Sequence, residues 1–258
     1  MNCEIKIKNL NVRLNDRDLP IIKDLSLKIK SGYITTLLGK SGSGKTTLCH
    51  AIARLLDKRY KIKGNINFNC NGNFVNLLLL DEKEISRIGG SHISISFQEP
   101  SRFLNPVLRC GDHLKDLVDY RNNEWVEFLF DKFGFKNHNE ILKKYPYELS
   151  GGQAQKFSLI LALSRRPKFL IADEPTTGID YADKKIIGNT FRELVLNENT
   201  GIFMVTHDIS FAFRYSDYIS IIEDGLIIVS GKKEYVLNST DNLYISKLLS
   251  LINPDNVY

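Results

Sequence analysis

The sequence predicts an α/β protein with a parallel central sheet that is interrupted by a helical segment at roughly 100–165. Short apolar, β-branched runs have the length of buried strands, at Tyr33–Leu38, Phe169–Ala172 and Ile202–Val205. Helical periodicity lies between such runs, and this alternation is typical of a parallel sheet. The 258 residues are 43% hydrophobic and 25% charged, which is enough apolar sequence for one large core.

The N-terminal part of the chain predicts an antiparallel sheet. Apolar and polar residues alternate on both sides of a polar turn at Asn15–Pro20. The alternation resumes at Gly64, and Asn71-Gly72 is a strong hairpin signal. The residues that mark this period are Ile5, Ile7, Leu25, Leu27, Ile29, Ile66 and Phe68. We therefore expect a β subdomain beside the parallel core.

The rest of the chain alternates between strand and helix patterns. An aromatic stripe at helical spacing, from Trp125 to Phe133, predicts core packing of a small helical region and not a ligand site. The other expected elements are a buried segment at Leu77–Leu80, a strand at His92–Phe97, a helix at Gln153–Arg165, a hairpin around Asp224-Gly225 and one short helix after Asp241.

Charge and cysteine content restrict the function classes. The 35 basic and 30 acidic residues are spread along the chain and predict a solvated surface with a net charge of +5, without a nucleic-acid stripe. The four cysteines, Cys3, Cys49, Cys70 and Cys110, are far apart, which predicts reduced thiols and neither a disulfide nor a metal site. No run approaches the ~18 apolar residues of a membrane span, and the first residues lack signal-peptide features, so we expect a chain that is soluble by itself.

A glycine-rich motif follows the first core strand. Residues 39–46 fit the pattern G-x-x-x-x-G-K-S/T, whose backbone N–H groups surround the phosphates of a nucleotide. Lys45 supplies a positive charge for the outer phosphates, and the Thr46 hydroxyl is placed to bind Mg²⁺. The helix expected at Thr47–Leu56 adds a favourable N-terminal dipole. The expected nucleotide-binding residues are Gly39, Lys40, Ser41, Gly42, Ser43, Gly44, Lys45, Thr46 and Thr47.

Two carboxylates follow the run Phe169–Ala172. The carboxyl end of a strand in an open α/β sheet lies in the crevice where nucleotides bind. Asp173 is therefore expected to hold Mg²⁺. Glu174 is expected to orient and deprotonate the water that attacks the γ-phosphate of ATP.

The sequence LSGGQ at Leu149–Gln153 resembles the signature motif of ABC ATPases, and it precedes the Asp-Glu pair as in that family. At the start of a helix such a segment can bind a phosphate. The resemblance implies the ABC ATPase fold: a P-loop NTPase, RecA-like core with an N-terminal antiparallel β subdomain and an inserted helical subdomain. It also implies a head-to-tail dimer in which ATP bound to a second ATPase subunit, homologous or identical, faces Ser150, Gly151, Gly152 and Gln153.

Three further positions fit the family in chain order. Gln98 resembles the Q-loop glutamine that reaches Mg²⁺ and the attacking water. Asp180 resembles the D-loop aspartate that crosses the dimer interface, and His207 resembles the switch histidine that contacts the γ-phosphate. The resemblance thus assigns catalytic roles to Lys45, Gln98, Glu174 and His207, and metal binding to Thr46, Gln98 and Asp173.

Finer features resemble the ATPase subunits of dipeptide, oligopeptide and nickel importers, namely FQEP at Phe97–Pro100, LNP at Leu104–Pro106, ADEPTT at Ala172–Thr177 and the tail Tyr244–Leu249. This class implies an ATPase at the cytoplasmic face of the cell membrane, peripheral to two permease subunits. An extracellular substrate-binding protein acts indirectly, and no nucleic-acid partner is expected. Two positions depart from the family. No aromatic residue lies between Val12 and Ile22 to stack on adenine, and Lys156 stands where arginine is common.

The expected single domain divides into a nucleotide-binding core at 1–99 and 166–240, a helical signature subdomain at 100–165 and a tail at 241–258. Other ABC systems stay open as alternatives: an exporter, or a soluble ABC ATPase that acts on DNA or ribosomes. A small-molecule kinase has no need of LSGGQ. Peptide, nickel and metal-chelate cargo all fit, and the second ATPase subunit is either a copy of this chain or a related one.

Overall fold

The computed structural model describes residues 3–16, 19–121 and 123–239 of the chain. The expected tail after Asp241 lies outside these residues. The strands are β1 (Cys3–Leu14), β2 (Ile22–Lys30), β3 (Ile34–Leu38), β4 (Tyr60–Cys70), β5 (Asn73–Asn76), β6 (Ile93–Ser96), β7 (Phe169–Asp173), β8 (Gly201–Thr206), β9 (Tyr218–Glu223) and β10 (Leu226–Lys232). The helices are α1 (Lys45–Ile52), α2 (Glu82–Ile88), α3 (Pro100–Phe103), α4 (Cys110–Lys115), α5 (Glu124–Lys132), α6 (His138–Lys143), α7 (Gly151–Leu163), α8 (Tyr181–Glu198), α9 (Ile209–Tyr215) and α10 (Lys233–Leu237).

The central sheet has the strand order β10-β9-β3-β8-β7-β6. Strands β6, β7, β8, β3 and β9 are parallel, and β10 closes one edge as an antiparallel hairpin partner. Every residue of β3, β7 and β8 is buried, as expected for a parallel sheet that is covered on both faces. Parallel pairing brings the carboxyl ends of β3, β6, β7 and β8 to one edge of the sheet.

The predicted N-terminal β subdomain is a separate four-stranded antiparallel sheet of order β2-β1-β4-β5. Its apolar face packs on α1 and on one face of the central sheet in one cluster of buried residues. Asn71 and Gly72 both have positive φ, 54° and 85°, which is the backbone of a tight hairpin turn between β4 and β5. The expectation of a buried segment at Leu77–Leu80 is wrong in part. Leu77 is buried, but Leu79 is 81% exposed because the segment forms a short 3₁₀ turn.

The prediction of four reduced cysteines is also wrong. Cys3 and Cys70 form a disulfide, while Cys49 and Cys110 are free and buried. The cause is strand register. Cys3 on β1 pairs directly with Cys70 on β4, so the two Cα atoms are 4.2 Å apart despite 67 residues of separation in sequence. Sequence spacing cannot reveal such a pair, because the register is fixed by the fold.

The helical segment between β6 and β7 contains α3 to α7. The aromatic stripe packs in its core as predicted: Trp125, Leu129 and Phe133 are buried, and the Trp125 Nε1–H donates a hydrogen bond of 2.9 Å to the Leu163 carbonyl on α7. The subdomain boundaries at 99/100 and 165/166 stay a prediction. Within the ranges that the structure describes, no helix combines the length and apolar character needed to cross a membrane.

Candidate functional site

The predicted chemical groups follow four adjacent parallel strands. The glycine-rich loop follows β3, Gln98 follows β6, Asp173 and Glu174 end β7, and His207 follows β8. A cavity of about 480 Å³ opens at this edge of the sheet. Its lining includes Gln98, Glu174 and His207 together with Lys40, Ser41, Gly42, Gly44, Lys45, Thr46 and Thr47. The fold thus brings into one cavity most of the side chains that the sequence singled out.

The glycine-rich loop has the geometry of an anion-binding turn. Gly42 and Gly44 have φ values of 81° and 101°, in the left-handed region that disfavours residues with a Cβ. Gly44 is the N-cap of α1, and no side chain caps the helix, so the first N–H groups of α1 are available to an anion. The Ser43 Oγ is buried and has no hydrogen-bond partner among the described residues. An orphaned donor in this place fits a phosphate oxygen.

Lys45 is held under the loop. Its Nζ donates to the carbonyl oxygens of Gly39 and Lys40 at 2.7 and 2.9 Å, and it lies 3.7 Å from a Glu174 carboxylate oxygen. The side chain is only 6% exposed. Burial lowers the pKa of Lys45, and the neighbouring charges of Glu174 and Asp173 counteract this by raising it. The ammonium group is therefore fixed in position, with few solvent contacts to lose when a phosphate binds.

Thr46 and Asp173 bring two oxygen ligands together. The Thr46 Oγ1–H donates to the Asp173 Oδ1 at 3.2 Å. Burial raises the pKa of Asp173 to about 6, with a further upward contribution from the Glu174 charge, while the Thr46 hydrogen bond lowers it. A carboxylate and a hydroxyl are hard oxygen ligands of the kind that Mg²⁺ takes beside nucleotide phosphates, so the two residues fit that ion.

Glu174 is the most constrained residue of the site. Its backbone φ is 47°, which is rare for a side-chain-bearing residue and is typical of strained functional positions. One carboxylate oxygen, Oε2, accepts from Thr177 Oγ1 at 3.3 Å and from Thr206 Oγ1 at 3.2 Å. The same oxygen accepts from the His207 backbone N–H at 3.4 Å and lies 2.9 Å from the His207 Nδ1. Three residues thus orient this carboxylate.

The signature segment and Asp180 lie outside this cavity. Ser150 is the N-cap of α7, where its Oγ accepts from the Gln153 N–H at 3.2 Å and the Gln153 side chain accepts from the Ser150 N–H. Asp180 is the N-cap of α8 and accepts from the Asp183 N–H at 2.8 Å. These residues do not line the cavity with Lys45, so a single copy of the chain does not place the signature segment at its own phosphate loop.

Two residues of the site were missed by sequence reasoning. Thr206 bonds Glu174, and its place directly before His207 at a strand end was the available signal. Ile21 lines the cavity and is fixed by a 2.7 Å hydrogen bond from its N–H to the Val12 carbonyl. Among the described residues that line the cavity there is no phenylalanine, tyrosine or tryptophan. The sequence lacks an aromatic residue between Val12 and Ile22 that could stack on adenine. The folded site agrees, because the aliphatic Ile21 lines the cavity near the phosphate loop.

Comparisons with known proteins identify the family and the fold of the chain. Residues 22–177 match the family model of the ABC transporter. Over 258 residues the chain is 31% identical to the oligopeptide transport ATP-binding protein OppD of Escherichia coli, covering 96% of this chain and 75% of that protein. It is 28% identical over 254 residues to the metal-staphylopine import system ATP-binding protein CntD of Staphylococcus aureus, covering 95% and 92%.

Solved structures show the same fold. The dimeric bacterial ABC transporter cassette MJ0796 superposes with a TM-score of 0.76 at 24% identity, over 89% of this chain and 98% of that one. A bacterial Atm1-family ABC exporter with ATP bound gives a TM-score of 0.79 at 18% identity, over 97% of this chain and 42% of that one. The predicted fold and family are confirmed: the chain belongs to the ABC transporter family, as its ATPase cassette.

Proposed function

We propose that this chain is the subunit that binds and hydrolyses ATP in an importer for peptides, nickel or metal chelates. The observation that carries the proposal is the meeting of Lys45, Thr46, Asp173 and Glu174 at the carboxyl edge of one parallel sheet, around a cavity with uncapped helix N–H groups. The cargo class is supported by the names of relatives such as OppD and CntD, which are importer ATP-binding proteins.

Nucleotide binding follows from the loop. The α1 N–H groups and the Ser43 hydroxyl hold phosphate oxygens, and Lys45 exchanges its bonds to the Gly39 and Lys40 carbonyls for the outer phosphates. Thr46 and Asp173 would hold Mg²⁺, together with Gln98, which lines the same cavity as Thr46. The bound ion would supply positive charge that offsets the negative charge of the phosphates.

Hydrolysis requires a positioned base. Glu174 accepts a proton from a water whose oxygen attacks the γ-phosphorus, and the bond from that phosphorus to the leaving oxygen of ADP breaks. Thr177 and Thr206 keep the Glu174 carboxylate aimed, and His207 lies at the mouth of the cavity with its side chain 61% exposed. We infer that His207, which contacts Glu174, also contacts the γ-phosphate.

Turnover also requires a second cassette. Ser150, Gly151, Gly152 and Gln153 begin α7 on a surface separate from the cavity. We propose that this surface covers the ATP of the opposite subunit in a head-to-tail dimer, with Asp180 at the interface. ATP binding then closes the dimer, and hydrolysis reopens it.

The permease has a candidate docking site on a different face. An open cavity of about 690 Å³ is lined from the nucleotide core by Ile52 and Ile85 and from the helical segment by Leu104 and Leu161. Phe97, the residue before Gln98, lines the same cavity and stacks on Phe103 with ring centroids 3.8 Å apart. A permease segment bound there would contact the element that carries Gln98. A chain docked in this way would be peripheral to the membrane, and we propose the cytoplasmic face because the importer relatives are ATP-binding proteins.

The test uses Glu174→Gln, which should hold ATP without hydrolysing it and so trap the closed dimer. The tagged variant is expressed in its own cell, membranes are solubilised mildly with MgATP, and the proteins that co-purify are identified. Two polytopic membrane proteins together with a second ATPase subunit are expected, and a bound solute-binding protein would identify the cargo. Recovery only from the soluble fraction, with ribosomes or DNA, would overturn the importer proposal.

A further inference from the structure

The signature segment and the loop before α8 contact each other inside one copy of the chain. A Cβ on Gly151 would lie 3.8 Å from the Gly178 carbonyl oxygen. A Cβ on Gly152 would collide with the carboxylate of Asp183, in the first turn of α8. Gly152 therefore lets Asp183 pack directly against the start of α7.

An ion pair also stabilises this contact between α7 and α8. The Lys156 Nζ on α7 lies 2.6 Å from the Asp183 Oδ1, and the two side chains are only 8% and 21% exposed. The Lys156 ammonium also lies 5.2 Å from the centre of the Phe135 ring, which belongs to the helical segment. Separating a partly buried ion pair costs free energy, because each charge is left unpaired and only partly solvated. The pair therefore resists small displacements of α7 relative to α8.

The contact continues to the catalytic carboxylate. The Asp183 N–H donates to the Asp180 side chain at 2.8 Å, which fixes the end of the segment Thr177–Asp180. At the other end of that segment, the Thr177 hydroxyl donates to the Glu174 Oε2. A short series of contacts thus links the start of α7 with Glu174: Gly152 and Lys156 to Asp183, Asp183 to Asp180, and Thr177 to Glu174.

We propose that Asp183 is a positioning residue that ties the signature segment to the segment Thr177–Asp180. The surface offered to the opposite cassette and the Glu174 carboxylate of the same cassette then shift as one unit. This inference rests on the proposed function, because it concerns how a closed dimer positions a base. Asp183 touches no nucleotide and acts through Glu174 and the start of α7.

The chain contains a matched control for a purely structural ion pair. Lys132 on α5 lies 2.7 Å from Glu193, so this pair also joins the helical segment to α8. Its side chains are 32% and 31% exposed, and Glu193 lies ten residues beyond Asp183, well past the signature segment. Removing this pair shows how a weaker attachment of the helical segment to α8 by itself changes ATPase activity and dimerisation.

The experiment compares Asp183→Asn with Glu193→Gln in the full chain. Asp183→Asn keeps the shape that packs on Gly152 and removes only the charge. The steady-state ATPase rate is measured across MgATP concentrations, nucleotide affinity is measured on the monomer, and MgATP-driven dimerisation is measured in the Glu174→Gln background. We expect Asp183→Asn to lower kcat and the dimer association constant about 10-fold each, with KM and monomer affinity changed less than about 2-fold. Glu193→Gln should stay within 2-fold in every measurement.

Two further variants keep the proposal testable if Asp183→Asn is unstable. The double variant Lys156→Met/Asp183→Asn leaves no unpaired charge and should show the same loss of kcat. The variant Lys156→Arg keeps the ion pair and should retain most of the wild-type kcat. Equal effects of Asp183→Asn and Glu193→Gln, or a loss that follows monomer affinity, would overturn the positioning role. A wild-type protein that neither hydrolyses ATP nor dimerises with it, alone or mixed with the second ATPase subunit recovered by co-purification, would instead overturn the proposed function.

Discussion

The strand-end site and the signature segment are both proposed to contact phosphates of a nucleotide, and they are built differently. At the strand ends, Lys45 and Glu174 are almost completely buried, and both side chains have polar partners within the described residues. At the start of α7, the side chains of Ser150 and Gln153 each bond the backbone N–H of the other across one helical turn, and Ser150 is exposed while Gln153 is half-buried. The first site is assembled by one chain, whereas the start of α7 does not line the cavity of that site.

This difference teaches which properties each region should control. In the proposed function, side chains at the strand ends determine whether one copy of the chain binds nucleotide, because Lys45, Thr46 and Glu174 line one cavity and Asp173 accepts a hydrogen bond from Thr46. The signature segment is instead proposed to control whether bound nucleotide is hydrolysed, because in the proposed dimer a second copy or a related subunit supplies this segment. The four predictions below separate these properties, beginning with the largest expected effect.

Glu174→Gln removes the proposed base while keeping the hydrogen-bonding shape of the side chain. Hydrolysis should fall about 10²–10⁴-fold, since a positioned general base contributes that much. ATP affinity, measured by equilibrium binding, should stay within a few-fold. Wild-type turnover in this variant would remove Glu174 from the role of base.

Asp173→Asn tests how much the buried charge of this proposed metal ligand destabilises the folded, nucleotide-free protein. Its pKa is 3.8 when unfolded and about 6 when folded, so the folded state loses stability as pH rises through this window. Neutralising the group should stabilise the nucleotide-free protein by up to about 3 kcal/mol above pH 6 and by little below pH 4. Denaturant unfolding at several pH values measures this. A difference in unfolding free energy that stays constant across pH would contradict the raised pKa of Asp173 in the folded state.

Lys45→Ala should weaken nucleotide binding by the monomer about 10- to 100-fold, the loss expected for one charge-assisted hydrogen bond to a phosphate. The two buried carboxylates beside it also lose their counter-charge. Binding is measured by titration with a fluorescent ATP analogue. Normal affinity would argue against the phosphate-loop assignment.

Ser150→Ala should lower ATPase turnover about 10-fold and leave monomer affinity within 2-fold, because the proposed role of Ser150 is to contact the ATP of the opposite subunit. The lost N-cap bond also costs about 1 kcal/mol of stability. Ser164→Ala is the matched control, since the Ser164 hydroxyl bonds the Leu161 carbonyl at the other end of α7. Equal rates in the two variants would mean that the signature side chain has only a structural role.

Much of the site could be predicted because its signals are local. A phosphate loop needs particular residues at fixed spacing between a strand and a helix, and Asp173 and Glu174 directly follow an apolar run. Thr206 and Ile21 could not be found in that way, because neither residue type is distinctive. Their importance comes from a hydrogen bond to Glu174 and a place beside the loop, and both depend on how distant strands pair.

The sequence by itself determined the elements, the phosphate loop, the two carboxylates and the family, since each depends on a short pattern of residue types. Only the tertiary structure decided which distant residues meet. Strand register joined Cys3 to Cys70 where sequence reasoning expected free thiols. Packing of α7 against α8 brought Lys156 to Asp183, a contact that sequence spacing does not predict. The physical reason is that local conformation depends on neighbouring residues, whereas register and helix packing are selected by burial across the whole core.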